Sequence, residues 1–247
     1  MPAKSILPPQ WEPPAAIVER LGDEAGRQRA MAADGHLLLI LHVPPGPEDL
    51  ERQGRFFWRK PDGSWRSDAL GAGPPAIVRH LDEYAKLITD LESRGDAAQV
   101  AQDYFSILQH VAPLQRSARN LHLVLQEARE ACPDDHDIIV WRDRAYAIER
   151  TADLVHSDAK NGLDFAVAHR AEQQAASSER MATAAHRLNL LAAFFFPIAA
   201  LTAIFGTNLK HGFETLNPPI PFLICLGAGI LMGLILSSFV GRGGGSN

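Results

Sequence analysis

Hydrophobic residues are spread unevenly along this chain, in three successive patterns. Near the N-terminus, His36 to Val43 (HLLLILHV) is a short unbroken apolar run between Asp34-Gly35 and Pro44-Pro45-Gly46. That pattern predicts a strand buried on both faces. Arg55–Lys60 and Trp65–Ser67 flank Pro61-Asp62-Gly63-Ser64, where Pro presets φ and Gly tolerates a positive one, so a β-hairpin is expected. Trp58 and Trp65 then read as a cross-strand aromatic pair rather than a ligand platform.

After Gly71-Ala72-Gly73-Pro74-Pro75 the spacing becomes helical. Ile77, Leu81, Tyr84, Leu87, Ile88 and Leu91 form a first stripe, and Ser93-Arg94-Gly95-Asp96 is expected to break it and cap the next helix. Val100, Tyr104, Ile107, Val111, Leu114, Ala118, Leu121, Leu125 and Ala128 then alternate four and three apart, with Pro113 inside the run. A matching seam follows from Ile138 through Trp141, Ala145, Ile148, Ala152, Val155, Ala159, Gly162 and Ala166. The two seams predict an antiparallel helical hairpin turning at Cys132-Pro133. Asn161-Gly162 is a local break signal. His169 to Arg187 is rich in Ala, Gln, Glu and Ser and has no apolar stripe, so it needs neighbours to stay helical.

The third regime is at the C-terminal end. Leu188–Phe205 and Ile220–Val240 carry no charged residue. Each approaches the roughly 20 residues that a helix needs to cross about 30 Å of hydrocarbon. Gly, Asn and Pro fill the polar loop between them. Two spans joined this way are expected to form a membrane hairpin that leaves both chain ends on one side.

Composition narrows the function. Charged residues are 21% and the net charge is -5, so no basic field for nucleic acid exists. The two cysteines, Cys132 and Cys225, fall on a helix end and in a span, so no disulfide is expected between them. The start, MPAKSILPPQWEPP, lacks the apolar core of a signal peptide and reads as an extended or disordered Pro-rich tail. The soluble part is therefore expected to stay in the cytoplasm with both termini, and the charges, Arg180, Arg187 and Arg242 on that side against Lys210 in the loop, agree weakly. Asp134, Asp135, His136 and Asp137 offer metal-binding groups, but consecutive residues do not converge on one ion. Acids and Pro at a helix start also suit a cap. Neither a phosphate-binding glycine loop nor a nucleophile in a recognisable setting occurs, so no enzyme is expected.

The segment FFFPIAALTAIFGTN resembles the end of the first membrane helix in the CorA family of magnesium transporters. There an apolar helix with a central Pro ends in an aromatic residue followed by Gly-Met-Asn. Here Phe205 is the aromatic, and Gly206-Thr207-Asn208 is a degenerate triplet with Thr in place of Met. A second span closes the chain, as in the family, and the preceding helix resembles the family's stalk. The resemblance implies a mainly α membrane protein with a small cytoplasmic α/β domain, a long stalk helix and two C-terminal transmembrane helices. It keeps the stalk continuous from Asp137 to Phe205, about 70 residues and on the order of 100 Å. The expected plan is 1–75 for the tail and β-containing cap and 76–187 for the cytoplasmic helices. The hairpin takes 188–240, with 206–219 as its extracytoplasmic loop, and 241–247 is a flexible tail.

The same resemblance implies a homopentamer, a channel for divalent cations with Mg²⁺ first and Zn²⁺, Co²⁺ or Ni²⁺ after it, and lipid around it, in a bacterial inner membrane. No cofactor is implied beyond transported or regulatory Mg²⁺. Gly206, Thr207 and Asn208 become the pore mouth, where neutral oxygens can recognise a hydrated ion. Helical spacing counted back from Asn208 gives Ala203, Ala199, Phe196, Ala192, Leu188 and Ala185 as the pore lining. Two plainer readings stay open: a helix C-cap at Gly206 and Asn208, and alanines that pack helices in lipid. Lys210 and His211 follow the triplet, and Ala171 occupies the place of the family's stalk acid. These departures leave a non-conducting scaffold or sensor, or a pore for another ion, as the alternative.

Overall fold

The structure is a computed structural model that describes residues 6–49, 51–206, 212, 217 and 219–243. It divides into two units, Met1–Ala168 and His169–Asn247. The fold is mainly α, with one small antiparallel sheet, a very long helix and an apolar C-terminal helix.

In the first unit, α1 (Ala15–Val18) precedes a four-stranded meander of β1 (Arg29–Ala33), β2 (His36–His42), β3 (Gly54–Arg59) and β4 (Trp65–Ser67), ordered β1-β2-β3-β4. Asp34 and Gly35, with φ of 51° and 74°, make the two-residue turn between β1 and β2, the geometry that matches strand twist. The β3–β4 turn closes as expected: Gly63 has φ 81°, the Lys60 amide donates to the Ser64 carbonyl at 2.9 Å, and the Ser64 amide donates to Asp62 Oδ1 at 2.9 Å.

β2 is buried on both faces, which explains its unbroken apolar sequence. Leu37, Leu39 and Leu41, with Phe57 and Trp65, join the helical core. Leu38 and Ile40, with Met31, Phe56 and Trp58, meet Leu7, Trp11 and Ile17 instead. The N-terminal segment is therefore not a loose tail from Ile6 onward. Leu7, Trp11 and Ile17 are anchors that cover the outer sheet face, each 8% exposed or less. The tryptophans also differ from expectation. Arg59, not Trp58, is the register partner of Trp65. Trp58 therefore lies on the outer face between Trp11 and His36, at 5.5 and 5.6 Å between ring centroids, while Trp65 meets Trp141 edge-on at 5.2 Å on the inner face.

Three helices complete this unit: α2 (Pro75–Ala97), α3 (Ala101–Ala131) and the first part of α4 (His136–Phe205). The expected break at Ser93–Asp96 falls later. α2 continues through Gly95, and the chain turns at Ala98–Val100, where Asp103 accepts from the Gln99 and Val100 amides at 3.1 and 3.2 Å. α3 passes through Pro113. The two seams are buried as their spacing predicts, from Ile107 to Ala128 and from Ile138 to Ala159, while Val100 is exposed. Polar pairs cross the same hairpin, His122 with Glu149 at 2.7 Å and Gln115 with Asp153 at 2.8 Å. α4 is one continuous helix of 70 residues that runs through Asn161-Gly162. A β-carbon on Gly162 would stand 2.4 Å from the Tyr104 ring, so close ring packing accounts for that glycine.

Candidate functional site

Asp135 caps the start of α4. Its Oδ1 accepts from the Asp137 amide at 3.1 Å, and its Oδ2 accepts from Arg59 Nε at 2.7 Å. Both side chains are largely shielded. Among the described residues, no three His, Cys, Asp or Glu side chains are placed to hold a metal ion. Cys132 and Cys225 are both free thiols, and burial pushes the Cys132 thiol pKa up.

Polar groups do gather beneath the sheet. Tyr84 Oη donates to the His42 carbonyl at 2.8 Å and lies 2.7 Å from Ser117 Oγ, which Gln28 Nε2 reaches at 3.1 Å. Alongside, Arg55 donates to His80 Nδ1 at 2.9 Å and to Glu83 at 2.8 Å. Burial, then the Arg55 charge, pulls the His80 pKa down to about 3. This network ties β2, β3, α2 and α3 together. Of its side chains, Gln28 reaches the wall of a cavity between the segment leading into β1 and α3.

The second unit carries the positions that the sequence suggests as a pore lining. The C-terminal part of α4 and α5 (Ile220–Gly243) are two helices long and apolar enough to cross a bilayer. Only 6% and 11% of the residues in their most apolar stretches are buried, so they are not core helices of a globular domain. Gly229 and Gly233 are the two buried positions among the described residues of α5. A β-carbon on Gly229 would stand 3.2 Å from Ile198 Cα, and one on Gly233 would stand 2.5 Å from the Phe194 carbonyl oxygen. The two backbones therefore approach across a G-x-x-x-G step, the pattern that permits close helix contact in lipid. Hydropathy alone does not single out this motif, although Gly229-Ile-Leu-Met-Gly233 spells it out in an apolar helix.

With Phe194 and Ile198 turned to α5, the other faces of α4 are open. Ala185, Leu188, Ala192, Phe196, Ala199 and Ala203 are all exposed, and none is covered by α5. Leu188 and Phe196 are the large members of this row, 66% and 74% exposed. α4 ends at Phe205. The Gly206 amide donates to the Thr202 carbonyl at 2.9 Å, and a β-carbon on Gly206 would stand 2.8 Å from that oxygen. A close approach, not a positive φ, thus suits glycine here. Thr207 and Asn208, with Lys210, His211 and Glu214, lie outside the described residues. Beside this helix end is an apolar cavity of about 620 Å³ whose walls include Leu201, Phe205, Phe222 and Cys225.

No protein-family model matches the chain, and neither does any curated protein. Solved structures do match. The full-length CmaX protein superposes with a TM-score of 0.54 over 89% of this chain and 77% of its own, at 13% identity. The CorA magnesium transporter from Methanocaldococcus jannaschii gives a TM-score of 0.42 over 88% and 79%, at 12% identity. The likeness to CmaX is one of fold.

Proposed function

We propose that this chain is a CorA-like membrane channel for divalent cations, magnesium first, working as a homo-oligomer with five-fold symmetry. The observation that carries the reading is the open face of α4. Six positions at helical spacing, four of them alanine, lead to Gly206 and stay uncovered when α5 has taken its own side of the helix. One such hairpin cannot enclose a pore. Several copies, each turning this face to a common axis, can. Small side chains leave room for water, while Phe196 and Leu188 supply apolar rings that close by dewetting. Gly206, Thr207 and Asn208 then form the mouth, where Asn208 offers a neutral oxygen to a hydrated ion. Magnesium sheds water reluctantly, so recognition through its hydration shell suits it. The plan places 1–187 and the C-terminal tail in the cytoplasm and the 206–219 loop across the membrane.

Lys210 and His211 beside the mouth favour the alternative, a non-conducting scaffold or sensor, because a positive ring repels entering cations. Mg²⁺ influx into liposomes holding the purified protein and a trapped fluorescent indicator separates the two. Influx that collapses in Asn208→Ala is the expected result. No influx above empty liposomes, from a protein shown to be a folded oligomer, rejects the magnesium reading.

A further inference from the structure

The faces on which α4 and α5 meet continue toward the loop beyond the glycine contacts. Leu201 and Phe205 follow Phe194 and Ile198 by about two helical turns, and Cys225 precedes Gly229 by about one. There both helices line the cavity of about 620 Å³, with Phe222 on its wall and Gly206 and Ala228 as its smallest positions. The chemistry of the lining is that of hydrocarbon. Among the described residues no charged side chain takes part in it. Its one hydroxyl, on Thr202, is held 3.0 Å from the Ile198 and Ala199 carbonyl oxygens of its own helix. Ordered water needs several polar partners, which such a lining does not supply. Left empty, the walls would forfeit their dispersion contacts.

We infer that the acyl chain of a bilayer phospholipid occupies this cavity, wedged between α4 and α5 beside Gly206. Position selects the occupant. The cavity lies along two helices long and apolar enough to span a bilayer, where the surrounding solvent is lipid. Leu201 is two residues from both Ala199 and Ala203, about 200° around the helix from each. Copies that turn the row from Ala185 to Ala203 toward a common axis therefore leave the cavity on the outside, toward lipid. The bound chain completes the packing of the hairpin at the end where the polypeptide leaves a gap. This inference rests on the hairpin lying in a bilayer and not on ion conduction.

Photocrosslinking of the full chain in phosphatidylcholine vesicles tests it. The probe is a phosphatidylcholine with a diazirine midway along one acyl chain, and peptide mass mapping is the readout. Phe222 and Leu223 are neighbours at one depth and are 63% and 58% exposed, but only Phe222 lines the cavity. Adducts on Leu201, Phe222 and Cys225 are expected to exceed those on Leu223 and Leu231 severalfold per residue. Ala228→Leu and Ala228→Phe fill the cavity in two steps. They should reduce the cavity adducts progressively and leave those on Leu223 and Leu231 unchanged, which also shows that the variants remain inserted. Equal labelling of Phe222 and Leu223 overturns the inference, as do cavity adducts that persist in both filled variants. Adducts on Leu223 and Leu231 with none in the cavity overturn it as well, and assign the space to another part of the protein or a second copy. Absence of adducts at every one of these positions overturns the membrane reading, and this inference with it.

Discussion

Gly233 sits so close beneath Phe194 that an added β-carbon would stand 2.5 Å from the Phe194 carbonyl oxygen. The obstacle is backbone, so no rotamer change relieves it. Gly233→Ala is expected to push α5 away from α4 and to cost about 1–3 kcal/mol, the usual range for overpacking. At Gly227, by contrast, an added β-carbon would meet nothing within 4 Å. Gly227→Ala should therefore be neutral or stabilise by up to about 1 kcal/mol through helix propensity. Thermal unfolding of both variants in one detergent checks this. Equal melting temperatures would remove the close helix contact from the account.

His80 gives the fold a pH dependence of defined sign. Arg55 donates to His80 Nδ1, so the neutral ring carries its proton on Nε2, which is buried without a partner. With its folded pKa drawn down to about 3 from an ordinary 6.5, the unfolded chain holds the extra proton anywhere between those values. The stability supplied by a neutral His80 is thus fully present above pH 6.5 and is lost as pH falls toward 3. The slope approaches about 1.4 kcal/mol per pH unit from this group. The groups around it are Arg55, with its partner Glu83, and the rings of Phe57 and Tyr84, with His42 as a further charge. His42 is shifted downward too, chiefly by burial, and adds to the same trend. Urea unfolding at about pH 7, 6 and 5 should show falling stability, and His80→Gln should flatten the fall. An unchanged slope in that variant would assign the acid sensitivity elsewhere.

Asp135 does two jobs at the start of α4. Asp135→Ala removes the cap, worth about 1 kcal/mol, and leaves the shielded Arg59 guanidinium without its partner, worth about 1–3 kcal/mol more. Asp135→Asn keeps an oxygen for the Asp137 amide and should lose less. A shift of the urea midpoint that is larger for Ala than for Asn is expected. Equal losses would mean that the ion pair, not the cap, carries the stabilisation.

How much of this is legible in the sequence follows from which residues repeat. The seams through Ile107–Ala128 and Ile138–Ala159 announce themselves because each buried position recurs every three or four residues. β2 is legible for the opposite reason: with both faces covered, it has no polar alternation at all. β1 is not, because Arg29–Ala33 reads RAMAA, and only Met31 in it is buried. Leu7, Trp11 and Ile17 have no period, since they anchor a Pro-rich segment that holds its shape by tertiary contact. Trp58 and Trp65 look like a pair and are not one, because a shift of one position in register moves a side chain to the opposite face. In the hairpin, the apolar runs mark the two helices, but which face of α4 meets α5 emerges only with Gly229 and Gly233 in place. Gly206 takes part in a contact that a triplet alone does not reveal.

The open face of α4 makes the transport reading directional. Phe196 is the bulkiest member of the row and is 74% exposed, with alanines at 192 and 199 on either side. If copies turn this row inward, a ring of Phe196 is the narrowest apolar girdle, and the barrier it sets is one of dewetting. Phe196→Ala should then raise Mg²⁺ influx severalfold, and Ala199→Phe, one turn along the same face, should lower it. Neither change touches the glycine contacts with α5, so the melting temperature should hold in both. Phe195→Ala, an equal loss of apolar volume at a neighbouring position 57% exposed, is the control and should leave flux unchanged. Liposome influx of the three variants checks the order. If Phe195→Ala accelerates flux and Phe196→Ala does not, the helix faces the axis with a different side, and the row from Ala185 to Ala203 meets lipid or a neighbouring copy instead.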